Sequence, residues 1–520
     1  MAHAIGDGLR EAKRTYFGNA TAVRDFRSQI RGTRALVLLT LYLLLLLMIV
    51  AAIYVSTVQV ATVSISVAQE SLSRFYVAVL ALLAAAVTAI TPALSALAVI
   101  GEKQRRSLDL VFSAPVTPYY FLVGKLISNF RWTALLILLA MPFCAVSIVL
   151  GGATWTDALG AFLILLWAGL LYSAIGIVLS TLAATPVAAI MQTYAVVGVY
   201  SMVVGIASTA SSISYAMGRV DIPWWTGFSP FAAGMMGSSS AEVFGIAVPH
   251  WVSVGLVTLV AVRLLLLGAA SAMSGYDAPE TRRLRIEGWV VMIALGFFLG
   301  GLAAPNTAVS PAGPMADFGS GWGATTALLM VPLLVFLPNL VCSAPDADRR
   351  FRFNGMVDWR QVWRGTPAGA LPYLVLLWAG LFGGSALRGL IWQDGAIDAE
   401  FATRALWALA FLYFWWALGQ FVSAYATTLR GARAAIFALG LIVLVIPFPV
   451  LSVMTATADP GNTYLFALHL MSPLFWRSDL SAGVHLVALA AFGMGAAALA
   501  RNRYQELGYG QRHSPSADSV

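Results

Sequence analysis

Gly124-Lys125 is the nearest approach in this 520-residue chain to a phosphate-cradling loop, G-x-x-x-x-G-K-[ST]. Tyr119 stands where that loop needs its first glycine, and Leu126 follows the lysine. ATP hydrolysis by this motif is therefore not expected of the chain itself. The five histidines (His3, His250, His469, His485 and His513) are scattered, and no H-E-x-x-H occurs, so no metal centre is expected. His250 and His469 read as interfacial residues. Asp394, Asp398 and Glu400 are the densest acids away from the N-terminal leader, and they read as an ordinary solvated connection. Cys144 and Cys342 are too few and too far apart to suggest a disulfide framework. No catalytic, cofactor-binding or metal-binding residue is expected.

The elements that must position any function are apolar. Hydrophobic residues make up 60% of the chain and charged residues 10%, against about 25% charged in soluble domains. Too few charges remain to build an aqueous surface, so the chain is expected in a membrane. Twelve apolar windows are each long enough to cross ~30 Å of hydrocarbon. They lie at about 35–58, 73–100, 131–150, 159–182, 187–208, 248–270, 287–304, 321–341, 369–388, 402–428, 433–453 and 482–500. The expected fold is an all-α polytopic membrane protein. Gln192, Gln420 and His485 are the notable polar residues inside the windows. Helix–helix hydrogen bonding is their first explanation, and Gln192 and Gln420 are also candidates to line a substrate path.

Sorting the basic residues orients the chain. Only Arg74, Arg219, Arg388, Arg404 and Arg477 fall on the side away from the leader, out of 31 Arg and Lys. The positive-inside rule then puts both termini in the cytoplasm. The net charge of +8 is explained by this bias and does not call for nucleic acid. Residues 1–34 carry apolar positions at helical spacing, with Arg10, Lys13, Arg14, Arg24, Arg27 and Arg31 elsewhere. This predicts an amphipathic helix pair on the membrane surface, broken at Gly18-Asn19, with Thr21 as a cap.

Two local matches suggest a tandem repeat. Ser180-Thr181-Leu182 followed by Ala188-Ala189-Ile190 resembles Thr427-Thr428-Leu429 followed by Ala434-Ala435-Ile436. Phe228-Ser229-Pro230-Phe231 resembles Met471-Ser472-Pro473-Leu474-Phe475. The expected organisation is an interfacial helix at 1–34, a six-span unit at 35–273, a second, degenerate six-span unit at 274–500, and a polar tail at 501–520. Both units start on the same side, so the repeats are parallel.

The connection 101–132 reads GEKQRRSLDLVFSAPVTPYYFLVGKLISNFRW. Glu102 to Ser113 can form a short helix, Pro115 ends it, and Thr117-Pro118 caps and opens the next. This is a short helix on two membrane stalks. Its Glu102, Arg105, Arg106, Leu108-Asp109-Leu110, Pro115-Val116-Thr117 and Gly124-Lys125 resemble the type-2 permease family of ATP-binding-cassette (ABC) transporters. The resemblance implies that 102–118 is a coupling helix docking on separate ATPase subunits, two per transporter, which carry the ATP and Mg. It also implies export, while the Arg-over-Lys bias and Ala richness suggest a bacterium with GC-rich coding and hence its plasma membrane, and few intramembrane charges point to a hydrophobic or amphiphilic cargo. The resemblance is good over 1–273 and thin over 274–520. The second unit's equivalent loop, 342–368, is Arg-rich (Arg349, Arg350, Arg352, Arg360, Arg364) and lacks the motif. An ion-coupled secondary transporter is the alternative, disfavoured by the lack of intramembrane acids. A lipid-modifying membrane enzyme is the third.

Overall fold

The computed structural model describes residues 15–30, 33–58, 65–105, 108, 113, 116–149, 152–216, 227–274, 278–299, 340–342, 357–392, 399–443 and 479–506, apart from positions 17, 238, 244, 245, 427 and 441. Among them, seven helices are long and apolar enough to cross a membrane. The protein is a helical, multi-pass membrane protein. The one departure from an all-helical reading among the described residues is a short antiparallel hairpin, β1 (Ser240–Val243) with β2 (Ile246–Pro249), in which Ser240 faces Pro249.

The chain divides into two compact units, 1–208 with 221–274, and 209–220 with 275–520. The first contains α1 (Ala20–Ile30), α2 (Thr33–Val58), α3 (Ile65–Ala96), α4 (Ile100–Gln104), α5 (Pro118–Val149), α6 (Trp155–Leu182), most of α7 (Pro186–Ala216), α8 (Ala233–Met236) and α9 (His250–Met273). The second contains α10 (Pro279–Leu299), α11 (Ala370–Trp392), α12 (Ala399–Tyr425), α13 (Leu429–Gly440) and α14 (Asp479–Glu506).

Helix α6 is the centre of the first unit. It is buried along almost its whole length, from Ala158 to Thr181, as expected of a helix apolar on every face. A capping box starts it: the Thr154 hydroxyl accepts from the Asp157 N–H while the Asp157 carboxylate accepts from the Thr154 N–H. Small residues let its neighbours approach. A Cβ on Gly169 would stand 2.6 Å from Thr133 Cγ2 of α5, and Gly176 lies directly against Ser95 of α3. Contacts of Val87 with Gly169, Ser95 with Tyr172 and Val99 with Ser180 advance together, so α3 and α6 run parallel.

In the second unit α10 packs on α11. Tyr373 meets Gly288, Trp289 meets Gly380, and the Ser385 hydroxyl donates 2.9 Å to the Gly296 carbonyl. These pairs also advance together, so α10 and α11 are parallel. Helix α12 packs on α14 in the same sense, through Tyr413 with Gly493, the Tyr504 hydroxyl with the Gln420 carbonyl at 3.1 Å, and Arg503 over the Tyr425 ring.

Helix boundaries recur between the units at one spacing. Leu182 and Tyr425, and Pro186 and Leu429, are each 243 residues apart. Thr185 Oγ1 accepts from the Ala188 N–H at 3.2 Å, and Thr428 Oγ1 accepts from the Gly431 N–H at 3.1 Å, so each hydroxyl caps the following helix. Gly176 and Gly419 share the spacing, and Gly419 admits Val341 as Gly176 admits Ser95. This shifts the register read from the letters, which set Thr181 against Thr428. The capping threonine is Thr185, because it stands in the break between helices whereas Thr181 is still inside one. Residues 471–475 of the other match lie outside the described residues.

One further detail differs from expectation. The cap of α1 is Asn19, whose Oδ1 accepts from the N–H groups of Thr21 (3.1 Å) and Ala22 (3.3 Å). Thr21 is already in the helix, and only the residue before the first turn can reach those donors. His250 is buried within the protein at the start of α9, with Nδ1 3.2 Å from the Ser239 hydroxyl. Cys144 and Cys342 are both buried and unbridged.

Candidate functional site

The first unit gathers its charges where α1, α4 and α5 meet. Lys125, on the first turns of α5, is 8% exposed. Its Nζ lies 2.6 Å from Asp25 Oδ2 of α1 and 2.5 Å from Glu102 Oε1 of α4. Arg24 Nη2 reaches the same Glu102 oxygen at 3.3 Å, and Arg24 Nε reaches Asp25 Oδ1 at 3.0 Å. Two acids and two bases thus balance, and one cation is nearly removed from water. Such a cluster holds only while every member keeps its partner.

Close packing brings α1 onto α5. A Cβ on Gly124 would fall 2.5 Å from Asn19 Oδ1 and 2.8 Å from Thr21 Cβ, so glycine is required there. Asn19 Nδ2 donates to the Thr15 and Tyr120 carbonyls, and the Ala20 N–H donates to the Tyr120 hydroxyl. Thr117 Oγ1 accepts from the Tyr120 N–H at 3.3 Å and caps α5, as Thr117-Pro118 predicts.

On its other side α4 is bonded to α6. The chain turns at 97–99, after α3 ends, and the N–H groups of Val99 and Ile100 donate to Ser180 Oγ at 3.1 and 2.9 Å. Lys103 Nζ donates to the carbonyls of Thr181 and Ala183, both at 3.2 Å, at the end of α6. A cation there satisfies carbonyls that the helix leaves open and complements its dipole. Ala96, Ile100, Ala183 and Ala189 pack beneath as a small apolar core. Helix α4 is therefore gripped from both sides: Glu102 by α1 and α5, Lys103 by α6.

A polar stripe continues the cluster along α5. Lys125, Asn129 and Thr133 recur every four residues and are all buried. Thr133 Oγ1 is 3.1 Å from Thr91 Oγ1 of α3. In the second unit the turns before α11 are held by different chemistry. Arg285 of α10 is buried, lies over the Tyr373 ring at 4.9 Å, and donates from Nη1 to the carbonyls of Val362 (2.6 Å), Gly369 (3.3 Å) and Gln361 (3.5 Å). Burial lowers its pKa to about 10, which leaves it charged at neutral pH.

Of the residues singled out in the sequence, Glu102 faces its own chain, and Arg105 is exposed just past α4. Leu108 is helical and half-buried, Val116 is half-buried, and Thr117 is exposed. Arg106, Asp109, Leu110 and Pro115 lie outside the described residues. Gln192 is exposed on α7, next to buried Thr193. Gln420 is buried and donates to the Val341 carbonyl at 2.7 Å, a helix–helix tie. Arg360 and Arg364 are exposed, whereas Arg349, Arg350 and Arg352 lie outside the described residues. Asp25 and Lys125 are the members the motif did not single out as a pair. Their only sequence signal is an acid on a basic helix and a lysine ahead of the apolar window 131–150.

No protein-family profile matches this chain, and a search of curated proteins found no match. The class that fold and site define is a multi-pass helical membrane protein.

Proposed function

We propose that the chain is the membrane permease subunit of an ABC-type exporter. ATP and Mg would bind a separate ATPase subunit, two copies per transporter, docked beneath 102–118. The observation that carries this reading is α4. A short helix bearing the exposed Arg105 is bonded at once to α1, α5 and α6. A push delivered there reaches three elements through short bonds and not through a slack loop. The apolar character of the spans favours a hydrophobic or amphiphilic cargo.

Twelve spans in two parallel six-span units, with both termini cytoplasmic, complete the proposal, in a bacterial plasma membrane. Helix directions support it. Two parallel membrane helices need a return crossing between them. The pairs α10 with α11 and α12 with α14 therefore support the eighth and eleventh spans.

Affinity purification of the tagged full chain from its native membrane in mild detergent tests the reading. An ATPase subunit is expected to co-purify, and reversing Arg105 and Arg106 together to Glu is expected to abolish its association. If no ATPase accompanies the wild-type chain, the exporter assignment fails. If association survives the reversal, the docking assignment fails.

A further inference from the structure

The second unit contains a cavity of about 390 Å³ between α11, α12 and α14. Leu374 and Val375 of α11, Leu409, Ala410 and Tyr413 of α12, and Leu486 of α14 form much of its wall. The Tyr413 hydroxyl is the one polar side-chain group in the lining among the described residues. All three helices are among the membrane-spanning candidates.

The spacing of 243 residues explains the cavity. Ala410 corresponds to Trp167 of α6. In the first unit that indole fills the seam between α6 and α9, where a Cβ on Gly255 would stand 2.6 Å from its Cε2. In the second unit the same station carries a methyl group. Helices α12 and α14 still close up further along, where Tyr413 meets Gly493, so the gap is not removed by collapse.

We infer that this cavity holds one acyl chain of a bilayer lipid. With the Tyr413 hydroxyl as its one polar side-chain group among the described residues, the lining does not offer water the two to four polar partners it needs. It lies in spans surrounded by hydrocarbon, and Leu406 on its rim is 56% exposed, which leaves a lateral way in. Unfilled, its walls forfeit dispersion contacts that a chain of methylenes restores. With no charged group in the lining among the described residues, the cavity takes the chain and leaves the headgroup outside. This site depends on membrane residence alone and not on the exporter assignment.

The full chain, reconstituted in phosphatidylcholine nanodiscs with a diazirine in one acyl chain, can be photolysed and the adducts mapped. Adducts on Leu406–Tyr413 and Leu371–Val375 are expected several-fold above those at Phe492, which is 72% exposed. Ala410→Trp, which restores the residue of the first unit, is expected to remove at least nine-tenths of the cavity adducts and leave the Phe492 adducts unchanged. Ala410→Leu gives a graded loss and serves if the tryptophan does not fold. Cavity adducts no stronger than those at Phe492, or indifference to both substitutions, overturn the inference.

Discussion

Lys125 has two acids within 2.6 Å, and its charge is nearly buried, so its removal leaves Asp25 and Glu102 facing each other with the exposed Arg24 as the cation they share. Breaking one partner of a buried pair costs about 3 kcal/mol or more, whereas removing the whole group costs far less. Lys125→Met is therefore expected to lower the thermal unfolding midpoint clearly. Adding Glu102→Gln should restore part of the loss, because it removes one of the stranded charges. A double-mutant cycle by thermal unfolding in detergent measures this. Additive losses would show that the two side chains are not coupled.

At the scale of the element, α1 is held by fit as well as by charge. Gly124→Ala sets two effects against each other. Alanine gains about 1 kcal/mol of helix propensity over glycine. Its Cβ would also overlap Asn19 Oδ1 and Thr21 Cβ, and forced overpacking costs about 1–3 kcal/mol. The clash wins where α1 cannot move, so α1 is expected to lift from α5. Faster tryptic cleavage at Arg24 and Arg27, with cleavage elsewhere unchanged, is the expected readout. An unchanged rate would mean that α1 absorbs the methyl group by a small shift.

At the scale of the whole molecule, helix direction makes the sharpest claim. Helix α6 starts at Trp155 and ends at Leu182, beside the charge cluster. Cysteines placed at Thr156 and Ala184 should therefore label from opposite sides. With an impermeant maleimide on intact cells, Thr156→Cys is expected to react directly and Ala184→Cys only after permeabilisation. The buried native Cys144 and Cys342 should contribute little background. The reverse pattern would invert the proposed orientation.

Membrane residence, the main helices and the cap at Thr117 were legible in the residues themselves. Each depends on local facts: a run of apolar residues has one low-energy environment, and a threonine before a proline has one common use. Seven of the twelve windows correspond to long apolar helices here, while 321–339 and 444–453 lie outside the described residues. The two junctions before α7 and α13 were visible as similar letters but out of register with the helix breaks, because Ser and Thr recur inside α6 and only the break shows which one caps. Tertiary structure alone decided the partners of Glu102. Lys125 lies 23 positions further along the chain and Asp25 lies 77 before it. No spacing rule brings those three together. Their meeting is set by α1 closing over Gly124, a contact between surfaces that one-dimensional order does not encode. The nearest approach to a phosphate loop, Gly124-Lys125, is thus explained by packing: the glycine admits a helix, and the lysine neutralises the acids that helix and its neighbour bring.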